Sequence, residues 1–224
     1  MRNEVLATFT ALNVRYAGYL LVSLVVGMIA REYARAFVTA RLGDPTPRLW
    51  GRLSMHPRQW FDPFGSGILP ALILILWASA SPFLPPPFAY GKPAALDPNY
   101  LRRRERDVVV ASLAGPVANL ILGTLGGLML HVGLAGDALL AVAAFVFTNI
   151  SLFVFHLMPI PGLDGARILA HFLPPRARTV YANLDQYLVL FVLVVFFLLP
   201  GPMLLIVDGL TNAVCGVVAG GACR

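Results

Sequence analysis

The sequence predicts an all-α polytopic membrane protein with about six membrane segments. Of its 224 residues, 58% are hydrophobic and only 12% are charged, whereas soluble domains average roughly 25% charged residues. Several apolar runs approach or exceed the ~20 residues that a helix needs to cross a bilayer. No polar stretch is long enough to fold separately, so we assign one membrane domain over residues 1–224, with a core at 15–199 and a C-terminal hairpin at 187–218.

The predicted spans follow one another between short polar loops. The first covers residues 16–37, and the next two long apolar runs cover 108–132 and 139–157. Two further runs, 187–199 and 203–218, form the closing hairpin around a Pro-Gly-Pro sequence. Proline and glycine interrupt helices, so this sequence marks the turn between the last two segments.

The path of residues 68–92 has two interpretations. Residues 68–77 are apolar but short, and a proline-rich stretch follows them. Basic residues flank the region on both sides, so both flanks would face the cytoplasm and the region would be re-entrant. Such backbone is tolerated at membrane depth only against protein or water. The sequence allows the path of this region to be drawn in more than one way.

The basic residues indicate orientation rather than nucleic-acid binding. The net charge of +6 arises from 17 basic and 11 acidic residues, and the basic ones lie in short loops between apolar segments. We therefore expect a multi-pass cell-membrane protein whose partners are the bilayer and another membrane protein, in an oligomeric state the sequence leaves open. The end of the first span, the turn at 158–167 and the C-terminus are predicted to be cytoplasmic. Cys215 and Cys223 lack metal-ligand spacing.

A degenerate metal motif ends the first span. Residues 31–35 read Arg-Glu-Tyr-Ala-Arg, where a zinc protease carries His-Glu-x-x-His. Positions 31 and 35 lie one turn apart on the same helix face, and histidines there would bind zinc beside a water-activating glutamate. Guanidinium groups have no lone pair for a metal and stay charged. The alternative is an ordinary helix end, where cations meet the negative end of the helix dipole.

Two further motifs are more specific than turn signals. Residues 158–167 read Met-Pro-Ile-Pro-Gly-Leu-Asp-Gly-Ala-Arg, and residues 114–119 read Ala-Gly-Pro-Val-Ala-Asn inside an apolar span. Polar residues at such depth tend to face the interior and to be functional. With residues 31–35, these motifs resemble the site-2 protease family of intramembrane zinc metalloproteases, in its compact bacterial branch. The resemblance covers about residues 15–199 and implies the helical-bundle fold of that family.

The resemblance assigns roles position by position. It places the two histidine ligands of the family at Arg31 and Arg35, where both are lost. It places the general base at Glu32 and the third, carboxylate ligand at Asp164, and both of these are kept. Zinc is the cofactor of the family, and the loss of two ligands predicts that this chain needs none.

Other polar positions accompany this set. The resemblance matches Asn119 to a family asparagine near the active site, whereas His156 departs from another family asparagine. A rebuilt zinc site of His56, His156 and Asp164 would have suitable ligand types and number. The alternative for each histidine is a hydrogen-bonded or interfacial residue.

Charge balance predicts a specific contact. Zn²⁺ would offset one glutamate and one aspartate, and Arg31 and Arg35 carry the same two positive charges. Because buried ions require partners, we expect guanidinium groups to contact the carboxylate of Asp164. The sequence thus favours a pseudoprotease that binds membrane segments or protein partners. The alternatives are an active intramembrane zinc metalloendopeptidase with rebuilt ligands, and a structural subunit that binds an anion or lipid headgroup.

Overall fold

A computed structural model describes residues 2–79, 86–92, 96–197 and 200–219. Within these ranges the chain forms helices and irregular segments and no strand, which confirms the all-α prediction. The α-helices are α1 (Arg2–Arg41), α2 (Thr46–Leu49), α3 (Leu69–Ala78), α4 (Arg104–Leu130), α5 (Gly136–His156), α6 (Asp164–Phe172), α7 (Pro175–Asn183), α8 (Leu188–Phe197) and α9 (Pro200–Ala219). Short 3₁₀ turns occupy Pro57–Gln59 and Asp185–Tyr187, and a π-helix occupies Pro63–Ile68.

Three helices of the described residues are long and apolar enough to cross a membrane. They are Val14–Arg41, Arg104–Leu130 and Gly136–His156, and their ends lie within a few residues of the predicted spans. Pro63–Leu76 is apolar but shorter. The total of six segments stays a prediction. So does the re-entrant path, because residues 80–85 and 93–95 lie outside the described residues, as does Cys223.

Helices α1, α4 and α5 pack against one another and form the centre of the bundle. Small residues let α4 approach its neighbours closely, as is usual in membrane bundles. A Cβ atom at Gly123 would lie 2.6 Å from Cδ1 of Ile150, and one at Gly126 would lie 2.8 Å from Cγ2 of Val146. The glycines of α4 therefore set the distance between α4 and α5.

An extended segment crosses the end of α1 and packs into the core. Residues 86–91 are buried, and Phe88 belongs to an apolar cluster with side chains of α1 and α5. Tyr90 N donates to Gly65 O at 3.1 Å, and Lys92 N donates to Trp60 O at 2.9 Å. Asp62 in turn accepts from the backbone N–H of Gly65 at 2.7 Å. These backbone contacts fix the segment beside the polar end of α1.

The contact between α1 and α4 yields a first prediction. A methyl group at Gly115 would lie 2.8 Å from Cγ of Arg31, so Gly115→Ala should destabilise the protein by about 1–3 kcal/mol through overpacking. A methyl group at Gly18 would meet no atom of the described residues within 4 Å. Gly18→Ala should therefore be neutral or slightly stabilising, since alanine favours helix. Thermal unfolding of both variants in one detergent measures the difference, and equal melting temperatures would contradict this packing.

Candidate functional site

The site lies where the polar end of α1 meets the start of α6. Arg31, Glu32 and Arg35 lie on α1, and Asp164 is the first residue of α6. Burial of all four is almost complete, since none is more than 4% exposed. A helix end and a turn that are distant in sequence thus bring four charged groups together in the interior.

The turn before α6 owes its path to two glycines. Gly162 adopts a φ of +90°, a left-handed conformation that glycine accepts without steric cost. At Gly165, a Cβ atom would collide with the backbone carbonyls of Leu157 and Met158. The first turn of α6 therefore packs directly against the end of α5, which places Asp164 in the interior.

The four charged side chains form a closed ring of alternating sign, which we call the charge ring. Arg31 donates to both Glu32 and Asp164 through its two terminal nitrogens. Arg35 Nη2 donates to Glu32 Oε2 at 2.7 Å, and Arg35 Nη1 donates to Asp164 Oδ1 at 2.8 Å. Each guanidinium bridges both carboxylates, and each carboxylate bridges both guanidiniums. The structure thus contains the contact from arginine to Asp164 that charge balance predicts.

Electrostatics in the charge ring favour the ionised carboxylate. Burial by itself would raise the pKa of Asp164, but the guanidinium groups of Arg31 and Arg35 outweigh it and hold that pKa below its usual range. Buried ion pairs of this kind need good geometry to offset desolvation, and the four charge-assisted hydrogen bonds of the ring supply it.

Two other positions singled out in the sequence lie in the interior. Asn119 is fully buried on α4, one helical turn beyond Gly115, and its amide group has no hydrogen-bond partner among the described residues. His156 is fully buried at the end of α5, with Nδ1 2.9 Å from the carbonyl oxygen of Leu152. Because a carbonyl only accepts, Nδ1 carries a proton and donates to it.

His56 lies away from the charge ring. It is exposed, and its Nδ1 accepts a hydrogen bond from the backbone N–H of Arg58 at 3.3 Å. His156 is instead buried, and its ring centroid lies 5.4 Å from that of Phe88. In the part of the chain that the structure describes, no group of three or more His, Cys, Asp or Glu side chains could hold a metal ion. The structure thus does not assemble His56, His156 and Asp164.

A cavity of about 20 Å³ adjoins the charge ring, with room for about one water-sized group. Its lining includes Tyr90, Gly91 and Arg167, which the sequence had not singled out as site residues. A Cβ atom at Gly91 would lie 3.3 Å from Cγ of Glu32 and 2.8 Å from Trp60 O. Arg167 follows Asp164 by three residues on α6, so the helical spacing could have indicated it. Nothing in the sequence pattern indicates Tyr90.

Comparison with known proteins decides the family. The chain is 32% identical over 188 residues to "Putative zinc metalloprotease YwhC" of Bacillus subtilis, covering 80% of each chain. It is 31% identical over 199 residues to "Putative zinc metalloprotease Rip2" of Mycobacterium tuberculosis, covering 85% of this chain and 72% of that protein. The chain belongs to the site-2 protease family of intramembrane zinc metalloproteases. No family model and no solved structure matches it.

The residues that the resemblance assigns to the zinc site do not fit zinc. Catalytic zinc takes three protein ligands and a water, and guanidinium groups cannot serve as ligands. Asp164 and Glu32 each already accept from both arginines. The chemistry of this arrangement is that of a structural ion-pair cluster.

The charge ring yields a second prediction. Asp164→Asn keeps the shape of the side chain but leaves two buried guanidiniums with one carboxylate. Breaking a buried ion pair in this way costs about 3–5 kcal/mol, so we expect a large fall in melting temperature. Asp137→Asn is the matched control, because Asp137 pairs with Arg15 at 3.8 Å with both side chains 64% exposed. Its effect should stay within about 1 kcal/mol.

The pH dependence of this difference checks its electrostatic origin. The lowered pKa of Asp164 means that its contribution is fully present above the unfolded-state pKa of about 4 and is lost as pH falls below that value. The stability gap between wild type and Asp164→Asn should therefore be constant from pH 8 to pH 5 and shrink under stronger acid. A variant as stable as Asp137→Asn would refute the proposed tie between α1 and α6.

Proposed function

We propose that this protein is a catalytically inactive member of its family, a pseudoprotease that binds membrane segments or protein partners. The observation that carries the proposal is the closed charge ring at the position of the zinc site. Both carboxylates that an active member would use, at positions 32 and 164, are here held by arginines on two sides. A glutamate in that state has no metal-bound water to activate.

Electrostatic repulsion adds to the loss of ligands. A dication that approached Asp164 would also approach Arg31 and Arg35, which contact the same carboxylate. At about 4 Å and an effective dielectric of about 20, each such repulsion costs roughly 4 kcal/mol per unit charge and about twice that against a dication. Zinc would have to displace both guanidiniums from the interior before binding.

Binding without cleavage is the function that this arrangement supports. The charge ring ties α1 to α6 through side chains alone, so the surfaces that a partner helix would meet do not depend on a metal. We place the charge-ring end of α1, the turn before α6 and the C-terminus in the cytoplasm, because basic loops favour that side. A protease fold that cannot cut can still hold or shield a membrane segment.

The sequence also raises the alternative of an anion site at Arg31 and Arg35. The contacts of these arginines disfavour it. Arg31 and Arg35 already donate to Glu32 and Asp164, so an anion there would have to compete with two carboxylates. The two positive and two negative charges also leave the ring without a net charge to attract an anion.

Metal content tests the proposal directly. We expect the purified wild-type protein to contain far less than one zinc per chain, by elemental analysis after dialysis. The double variant Arg31→His, Arg35→His should bind about one zinc per chain, because it supplies two imidazoles beside Asp164, as a three-ligand site requires. Stoichiometric zinc in the wild-type protein would overturn the pseudoprotease proposal.

A second pair of histidines serves as the control for adventitious metal. Arg102 and Arg103 are exposed, so Arg102→His, Arg103→His adds the same two imidazoles away from Asp164. This variant should bind no more zinc than the wild type after dialysis. Equal zinc in both double variants would show that histidine number, rather than the geometry of the site, determines binding.

Substitution of Glu32 distinguishes the proposed pseudoprotease from an active protease. In a protease, Glu32→Gln would remove the general base and allow intact substrate to accumulate. In the proposed pseudoprotease, the same change weakens the charge ring and lowers the melting temperature. We expect equal amounts of intact single-pass reporter in membranes carrying wild type or Glu32→Gln. Accumulation of intact reporter with the variant alone would favour the enzyme.

A further inference from the structure

A second, larger cavity lies beside the charge ring, between the start of α4 and helices α6 and α7. Its volume is about 420 Å³, within the range of small-molecule sites. Its surface is mostly apolar, with basic groups among the lining residues. Those used below are Arg104, Val108, Arg167, Ala170, Arg178 and Ala182. Because α4 is a candidate membrane span that begins at Arg104, the cavity lies near one end of that span.

Arg178 builds the wall of this cavity. Its Nη1 donates to Glu105 Oε1 at 2.9 Å, and its other nitrogens donate to backbone carbonyls, among them that of Ala170 at 3.0 Å. These bonds tie α7 to α4 and α6. The charges of Arg178 and Glu105 offset each other, so the excess positive charge of the cavity comes from Arg104 and Arg167.

One guanidinium nitrogen of Arg167 lacks a hydrogen-bond acceptor among the described residues. Its Nη1 atom is buried and has no hydrogen-bond partner within the described ranges. A buried charged donor without an acceptor costs about 1–3 kcal/mol or more. Arg167 lines both the small cavity next to the charge ring and the large cavity, so a ligand in the large cavity would contact its side chain.

Two carboxylates near Arg167 already accept hydrogen bonds from other groups. Asp164 accepts from Arg31 and Arg35, and Asp185 accepts from the backbone N–H of Gly162 at 2.8 Å. The charge ring is balanced without Arg167, so the ring does not neutralise Arg167. A bound anion would supply an acceptor to this guanidinium.

We propose that the large cavity binds the phosphate diester of an anionic phospholipid. Arg167 and Arg104 donate hydrogen bonds to the phosphate oxygens. The apolar side chains of Val108, Ala170 and Ala182 contact the glycerol and the first part of an acyl chain. A phosphate could also come from solution. The lipid is the favoured source, because the cavity is mainly apolar and lies at the end of a membrane span, where basic pockets between helices bind headgroups.

Lipid binding to the purified full-length protein tests this proposal. The protein in a non-ionic detergent is titrated with phosphatidylglycerol, with diacylglycerol of the same chains, and with inorganic phosphate. Native mass spectrometry counts bound lipid, and the melting temperature reports stabilisation. We expect saturable binding of one phosphatidylglycerol that raises the melting temperature, and little effect of diacylglycerol or inorganic phosphate.

Matched arginine variants locate the binding. Arg167→Gln should weaken phosphatidylglycerol binding by about tenfold or more, which is about 1.4 kcal/mol, in the range of a hydrogen bond to a charged group. Arg176→Gln is the control, because Arg176 is exposed on α7 and does not line the cavity. Its affinity for the lipid should equal that of the wild type.

A third variant keeps the test decisive if Arg167→Gln does not fold. Ala170→Leu narrows the cavity while leaving Arg167 in place, and it should also weaken lipid binding. Equal binding by wild type, Arg167→Gln and Ala170→Leu would overturn the proposal, as would equal loss in Arg176→Gln. Binding of diacylglycerol as tight as that of phosphatidylglycerol would exclude recognition of phosphate. If inorganic phosphate raised the melting temperature as much as phosphatidylglycerol does, the lipid would be ruled out as the source of the phosphate.

Discussion

The contact between two guanidiniums and two carboxylates in the interior is the constraint on which the surrounding structure depends. Four charges removed from water are tolerable only when every one has partners of opposite sign. That requirement fixes the end of α1 against the first residue of α6. The backbone packs closely around this site. Gly91, Gly115 and Gly165 each lie where a Cβ atom would crowd the site or its supporting backbone.

A zinc ion and a guanidinium pair can hold the same elements together by opposite chemistry. Zinc accepts electron pairs from its ligands in tetrahedral geometry, whereas guanidinium donates hydrogen bonds in a plane. Both present two positive charges to Glu32 and Asp164. The proposed pseudoprotease would therefore keep a cross-link between α1 and α6 without the Lewis acid that cleavage requires.

Sequence and structure agree where local periodicity or charge balance carries the information. Helix spacing placed Arg31 and Arg35 on one face, and the need to pair buried charge pointed to Asp164. The sequence could not predict the position of Tyr90 beside the site. That position depends on hydrogen bonds from the backbone of residues 90 and 92 to Gly65 and Trp60, which leave no pattern in the side chains. For His56 the sequence offered a suitable metal-ligand type but no information about its distance from Asp164. The structure places His56 in a loop, exposed to solvent.

The alternation of sign around the charge ring has an evolutionary consequence. Replacing only one arginine by a neutral histidine would leave two buried carboxylates with a single guanidinium and still too few ligands for zinc. Such a chain would have neither a complete metal site nor a balanced ion-pair cluster. A change from the charge ring to a zinc-binding set of ligands therefore requires substitution at both positions, and the effects of substitutions at 31 and 35 on stability depend on each other.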